Sequence, residues 1–191
     1  MPWDTARTRR LLLEAGGRRF AATGFAGTSV ADISRDAAVN KERLYAYFGN
    51  KRQFFDQVLA HRLDGLLDGL DVTGTGPDAV RDWTGRLWDR YAADRDMARL
   101  LAWESLELTG PAVTVHRLSA CAGAARVLRE VLPARDEAAA RQLLLSLVVL
   151  VTGAWTLPGL GALITPDGDA ATRRSAVLEH AEALARAAQP D

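Results

Sequence analysis

Cysteine occurs once in this chain, at Cys121, so no disulfide can close within it and the redox compartment is left open. Histidine occurs three times, at His61, His116 and His180, too scattered for the short ligand spacings of a metal site. No catalytic glycine motif appears, and Cys121 has no base identifiable beside it. Together these absences predict no metal, no catalytic residues and no cofactor, and so no enzyme. β-Branched residues are sparse while leucine, alanine and arginine dominate, which predicts an all-α fold. The opening MPWDTARTRRLLLEAGGRRFA lacks the apolar segment and small-residue cleavage site of a signal peptide. One long uncharged run, residues 142–165, contains Gly153, Pro158, Gly159 and Gly161, so an intact spanning helix is not expected there. A soluble, cytoplasmic protein with no membrane partner is expected.

The net charge is zero but unevenly spread. Residues 1–56 hold ten Lys/Arg against six Asp/Glu, and the remainder is acidic to the same degree. A basic N-terminal module on an acidic body suits a polyanion-binding head, although an excess of four is common on solvated faces.

Apolar periodicity predicts a first helix over about residues 5–22, stopped at Gly24, with Phe25 returning to the core. Thr28 or Ser29 can cap a second helix carrying Val30, Ile33 and Ala37 inward. Asn40 can cap a third, very short one with Leu44 and Phe48 inward, and a fourth follows from Lys51 to about Leu67. The stretch DVTGTGP, residues 71–77, is the clearest break in the chain. Further helical patterns lie near 78–93, 96–108, 112–131, 136–156 and 169–188.

Two short helices joined by a tight turn and braced by a longer one make a helix-turn-helix. The second would be the recognition helix, its N-terminal residues approaching base edges while its flanks grip phosphates. Asn40, Lys41, Glu42 and Arg43 supply donors and acceptors there, and arginine pairs bidentately with guanine. Tyr45 and Tyr47 carry hydroxyls on rigid arms, and Lys51 opens the next helix, where free backbone N–H groups favour anions. Spacing alone also allows these aromatics to be a core support and the charges to be ordinary surface.

The stretch TSVADISRDAAVNKERLYAYFGNKRQFFDQVL closely resembles the DNA-binding motif of TetR-family transcriptional regulators. The resemblance covers roughly residues 10–59 and rests on Thr28, Leu44, Tyr45, Tyr47, Phe48 and Lys51. It implies a DNA-binding domain over residues 1–56 and a C-terminal ligand-binding and dimerisation domain over residues 57–191. It also implies a homodimeric, ligand-responsive repressor on an approximately palindromic operator. Asn40, Lys41 and Arg43 become base-contact candidates; Tyr45, Tyr47, Lys51 and Thr28 become phosphate-contact candidates. Two positions depart from the pattern: Glu42 replaces a small residue, and Ala38 replaces the turn glycine. Activation, control by a partner protein, or a helical small-molecule carrier remain the alternative functions.

The body offers RQLLLSLVVLVTGAWTLPG, too apolar all round for a helix on a monomer surface, and then a stripe of Ala176, Val177, Ala181, Leu184 and Ala188. Two such helices could meet their symmetry mates as a four-helix interface. Trp103 and Trp155 could wall an inducer pocket, with Glu104 and His116 as polar anchors. A small-molecule effector is therefore expected, its identity open.

Overall fold

The computed structural model describes residues 5–110, 115–132 and 136–187. Ten helices run through them: α1 (Thr5–Gly27), α2 (Val30–Asp36), α3 (Lys41–Phe48), α4 (Lys51–Leu67), α5 (Gly76–Ala93), α6 (Arg95–Glu107), α7 (Val115–Val131), α8 (Glu137–Thr156), α9 (Pro158–Ile164) and α10 (Ala170–Arg186). No strand occurs among the described residues, as the composition predicts.

By packing, the chain divides into Met1–Gly65 with Asp96–Thr114, and Leu66–Arg95 with Val115–Asp191. The first packing division falls near the end of α4. The sixth helix returns to the first unit. Its periodicity gave no hint of this, because a buried face does not say which element covers it.

The first unit is held by aromatics. Phe20, Phe54 and Phe55 are fully buried with Leu12, Ile33, Leu44 and Leu59. Phe20 meets Phe55 edge-on with centroids 5.0 Å apart, and Phe48 meets Phe54 at 4.8 Å. Each such side chain contributes roughly 1.5–3 kcal/mol by leaving water. Gly16 lets α1 approach: a Cβ there would lie 2.7 Å from the Phe54 ring. α1 is broken at Gly24 (φ 77, ψ 179), a conformation essentially restricted to glycine, so the helix proper stops where the sequence predicts.

In the second unit α5 packs chiefly on α10, and α8 on α7, α5 and α10. Trp83, Leu87, Leu128, Leu147, Val151, Val177 and Ala181 form its core. The Trp83 indole N–H donates to the Leu70 carbonyl at 3.0 Å, and Arg174 grips Asp89 with two bonds of 2.9 Å.

Two elements differ from expectation. The short α9 was not predicted, because its prolines and glycines read as a loop. Pro158 instead sits in its first turn, where a missing N–H costs nothing. α8 lies where the 136–156 pattern places it, but it passes unbroken through Gly153 and gives an intact apolar helix that the uncharged run was not expected to hold. By length and composition α8 could cross a membrane, with a mean hydropathy of 1.6 and only 22% of that window buried. Asp136 caps it by accepting the Ala139 N–H at 2.7 Å.

Candidate nucleic-acid interface

Local chemistry sets the ends of α2 and α3 and the turn between them. Ser29 caps α2, its hydroxyl oxygen accepting the Asp32 N–H at 3.0 Å while donating to the Asp32 carboxylate at 2.7 Å. That bond, with Arg35 on the other oxygen, holds Asp32 below the usual carboxylate range. At the far end, the Val39 N–H reaches the Ser34 carbonyl and the Ala38 N–H reaches that of Arg35. This is a Schellman closure, which wants glycine at its left-handed position. The chain has Ala38 there, at φ 52. Asn40 then caps α3, its side-chain oxygen accepting the Glu42 N–H at 2.7 Å.

Leu44 and Phe48 anchor α3 in the core. Lys41, Glu42 and Tyr45 are exposed on the same short helix, and Tyr47 is half-buried. Arg43 is also half-buried, with one terminal nitrogen sealed from solvent. Thr28 behaves differently from the rest of the candidate set. It is buried, its hydroxyl donating to the Gly24 carbonyl at 2.7 Å and accepting from the Thr23 hydroxyl at 2.8 Å. That hydroxyl ties the end of α1 to the start of α2 rather than facing solvent.

Lys51 opens α4 behind a reciprocal cap. Asn50 accepts the Gln53 N–H, and Gln53 accepts the Asn50 N–H, both at 2.9 Å. The Lys51 ammonium lies 4.5 Å over the Phe25 ring. Partial burial lowers its pKa, and the Glu107 charge pulls the other way.

Four side chains important to this surface, Arg9, Arg19, Asn50 and Gln53, were not singled out from sequence. Arg9 donates to the Tyr47 carbonyl and to Gln57, each at 3.0 Å, with its guanidinium 4.5 Å over the Phe48 ring. It therefore fixes the end of α3 against α1. Arg19 makes a two-pronged pair with Asp36 at 2.5 and 2.8 Å, fixing α2 against α1 and holding the Asp36 carboxyl low. Nothing in the spacing of arginines along α1 marks these two among their neighbours. The Asn50–Gln53 cap was legible as N-x-x-Q before an apolar run.

This arrangement offers a positively charged, polar end of a short helix on an apolar anchor, the geometry that enters a major groove. The family model of bacterial regulatory proteins of the tetR family matches residues 12–58, from within α1 through α2 and α3 into the first half of α4. Over 181 residues the chain is 32% identical to the HTH-type transcriptional repressor SCO4008 of Streptomyces coelicolor, covering 88% of this chain and 89% of that one.

The chain belongs to the TetR family.

It is also 32% identical over 133 residues to the HTH-type transcriptional repressor NicS of Pseudomonas putida, covering 67% of this chain and 63% of that one. The solved structure of SCO4942 from Streptomyces coelicolor superposes with a TM-score of 0.76 at 27% identity, covering 93% of this chain and 97% of that one. As a TetR-family member the protein is a transcriptional regulator whose helix-turn-helix is the DNA-binding element, and it is not an enzyme.

The four effector-site candidates do not fall in one packed unit of this TetR-family chain. Trp103 and Glu104 lie on α6 with the head, Glu104 being buried and the Trp103 indole N–H donating to the Ala21 carbonyl at 3.3 Å. Trp155 lies on α8 in the other unit, its ring 4.7 Å from that of Trp88 and 5.9 Å from that of Tyr91. Burial raises the Tyr91 phenol to about 12. The side chain of His116 and all of Ala188 lie outside the described residues. Along α8 and α10, Ser146, Val149, Leu150, His180, Ala183, Leu184 and Ala187 line an open groove of about 610 Å³.

Proposed function

We propose that this TetR-family regulator is a homodimeric, ligand-responsive repressor that places one head in each half of an approximately palindromic operator. The observation that carries this reading is the contrast on α3: Leu44 and Phe48 are buried while Lys41, Glu42 and Tyr45 are bare. A support helix has no use for that polarity. In this reading Asn40, Lys41 and Arg43 face bases, and Tyr45, Tyr47 and Lys51 face phosphates. Thr28 acts through the position of α2.

Dimerisation is supported by the bare apolar residues of α8 and α10, including Leu145, Val149 and Leu184. A second copy covering them would bury that surface by two-fold symmetry. The repressor sense is supported by SCO4008 and NicS, both named as repressors. Trp155, with Trp88 and Tyr91, supplies a rigid aromatic wall suited to a flat apolar effector. His116, in the same unit as Trp155, is the proposed polar anchor there, while Trp103 and Glu104 are proposed effector contacts of α6 within its own unit. An effector that drives a 1:99 conformational balance to 99:1 must prefer one state by roughly 5.5 kcal/mol.

The test is direct. Purified protein is sedimented at low micromolar concentration and titrated against fragments of its own upstream DNA, with and without a small-molecule library. A mass near twice the 20.7 kDa chain, a protected two-fold site and release by a compound are expected. A folded monomer that retains tight, specific binding would overturn the dimeric reading.

A further inference from the structure

The turn that launches α2 is held by α6, far away in sequence. The Ala21 carbonyl accepts the Arg99 Nε–H at 2.8 Å and the Trp103 indole N–H at 3.3 Å. Five residues later, the Ala26 N–H donates to the Glu107 carboxylate at 2.9 Å. Gly24 lies directly beneath: a Cβ there would stand 2.9 Å from both carboxylate oxygens and 3.0 Å from the Trp103 ring. Between Gly24 and Ala26, Phe25 carries the Lys51 ammonium on its ring face. One acidic residue, one aromatic face and one lysine therefore gather at a single turn, next to the α4 N-terminus.

We infer that Glu107 and the Phe25 ring hold Lys51 back from the DNA backbone, so that α6 sets how much of this cation a phosphate can claim. The inference rests on the DNA-binding reading above and adds a regulator of one contact within it. A carboxylate and a phosphate oxygen are the same kind of partner for an ammonium, and they compete for it. Phe25 joins Glu107 to Lys51: its backbone lies between Gly24 and Ala26, against the Glu107 carboxylate, and its ring carries the Lys51 ammonium, whose charged form Glu107 favours. Because Glu107 is also the acceptor for Ala26, any shift of α6 moves both the turn and the competing charge. Glu107 is thus a positioning residue for the head and a brake on its affinity.

Glu107→Gln separates these roles, since the amide carbonyl can still accept the Ala26 N–H while the charge is gone. The full-length protein is titrated against a mixed-sequence 30-base-pair duplex over a salt series, because a phosphate contact needs no operator. The Glu107→Gln variant should bind about threefold to tenfold tighter at low salt, with the log–log salt slope steeper by up to roughly one per head. In a Lys51→Ala background the same change should do almost nothing, because the gain passes through Lys51. Phe25→Leu, which keeps an apolar side chain but removes the ring face, should give a smaller gain of the same sign and covers the case in which Glu107→Gln disturbs folding. Unchanged or weaker binding by both variants, or a Glu107→Gln gain that survives Lys51→Ala, overturns the inference. Failure of the wild-type chain to bind any duplex would instead overturn the DNA-binding reading, so the two failures are distinguishable.

Discussion

In the head, polar side chains bond across elements. Arg9 reaches the end of α3, Arg19 reaches α2, and Arg99, Trp103 and Glu107 reach the turn after α1. On α8 the arrangement is the reverse: Ser146 and Thr152 turn back onto their own helix, at Gln142 and Val148, while Leu145 and Val149 stand 57% and 58% exposed. An element that satisfies its polar groups and buries its apolar ones within the chain is complete as a monomer. An apolar element that leaves whole residues bare is written for something outside the chain. The head spends its specificity on fixing two short helices, and α8 keeps its apolar surface unspent.

The largest expected effect breaks the head from within. Phe20→Ala removes a fully buried ring that touches Phe25, Phe54 and Phe55, and should cost about 3–5 kcal/mol. Urea denaturation should show the loss in an early transition, and DNA binding should vanish while sedimentation still reports a dimer. If dimer and head are lost together, the two regions are one cooperative unit and the contrast drawn here fails.

Val149→Glu attacks the other region. In the proposed dimer, a carboxylate meeting its symmetry mate in an apolar interface would face desolvation and like-charge repulsion, a cost of several kcal/mol. The dimer should weaken by more than about a hundredfold, with the helix content and thermal midpoint of the head little changed. Retention of the dimer would mean that α8 is covered by something else, and a preference for lipid vesicles over self-association would point to the bilayer its hydropathy permits.

These two regions also differ in how much of each was legible in the sequence. The caps Ser29 and Asn40 and the break at Gly24 could be read because each rests on chemistry within four residues. Leu44 and Phe48 were read from spacing i and i+4. What escaped depends on contacts between residues far apart in sequence. Glu107 bonds to a residue 81 positions away and Arg9 to one 38 away, and no local pattern distinguishes them from solvated charges. Thr28 became a phosphate-contact candidate through the family resemblance alone, and no local pattern marks the bonds its hydroxyl makes to Thr23 and Gly24. α9 escaped because proline and glycine read as breakers, although a proline in the first helical turn breaks nothing.

A smaller effect sharpens the reading of α3. Arg43 is half-buried while Lys41 is exposed at the helix start, so the two need not share a role. If Arg43 reads guanine, Arg43→Ala should lose about 1–3 kcal/mol of discrimination between operator and altered operator. If Lys41 reads instead, Lys41→Ala takes that loss and Arg43→Ala weakens both DNAs equally. Titrations on operator and scrambled duplexes separate the cases. No loss from either, with fold and dimer intact, would count against the proposed surface.

The smallest effect lies in the turn itself, and its sign is the informative part. Ala38 occupies the left-handed position of a closure that prefers glycine, and a Cβ in that conformation costs about 1–2 kcal/mol. Ala38→Gly relieves that strain but frees the unfolded chain, which returns roughly 0.5–1 kcal/mol of the gain. The net expectation is a stabilisation of up to about 1 kcal/mol, read as a higher denaturant midpoint with an unchanged slope. Gly24→Ala makes the converse substitution at the other turn of the head. There the added methyl would meet the Glu107 carboxylate and the Trp103 ring in a backbone conformation open essentially to glycine, so destabilisation is expected. Two single-methyl changes in one module should thus move stability in opposite directions. If Ala38→Gly also destabilises, then Val39 and Ile33 packed behind the turn hold it more firmly than backbone preference does, and the departure at Ala38 stores no strain.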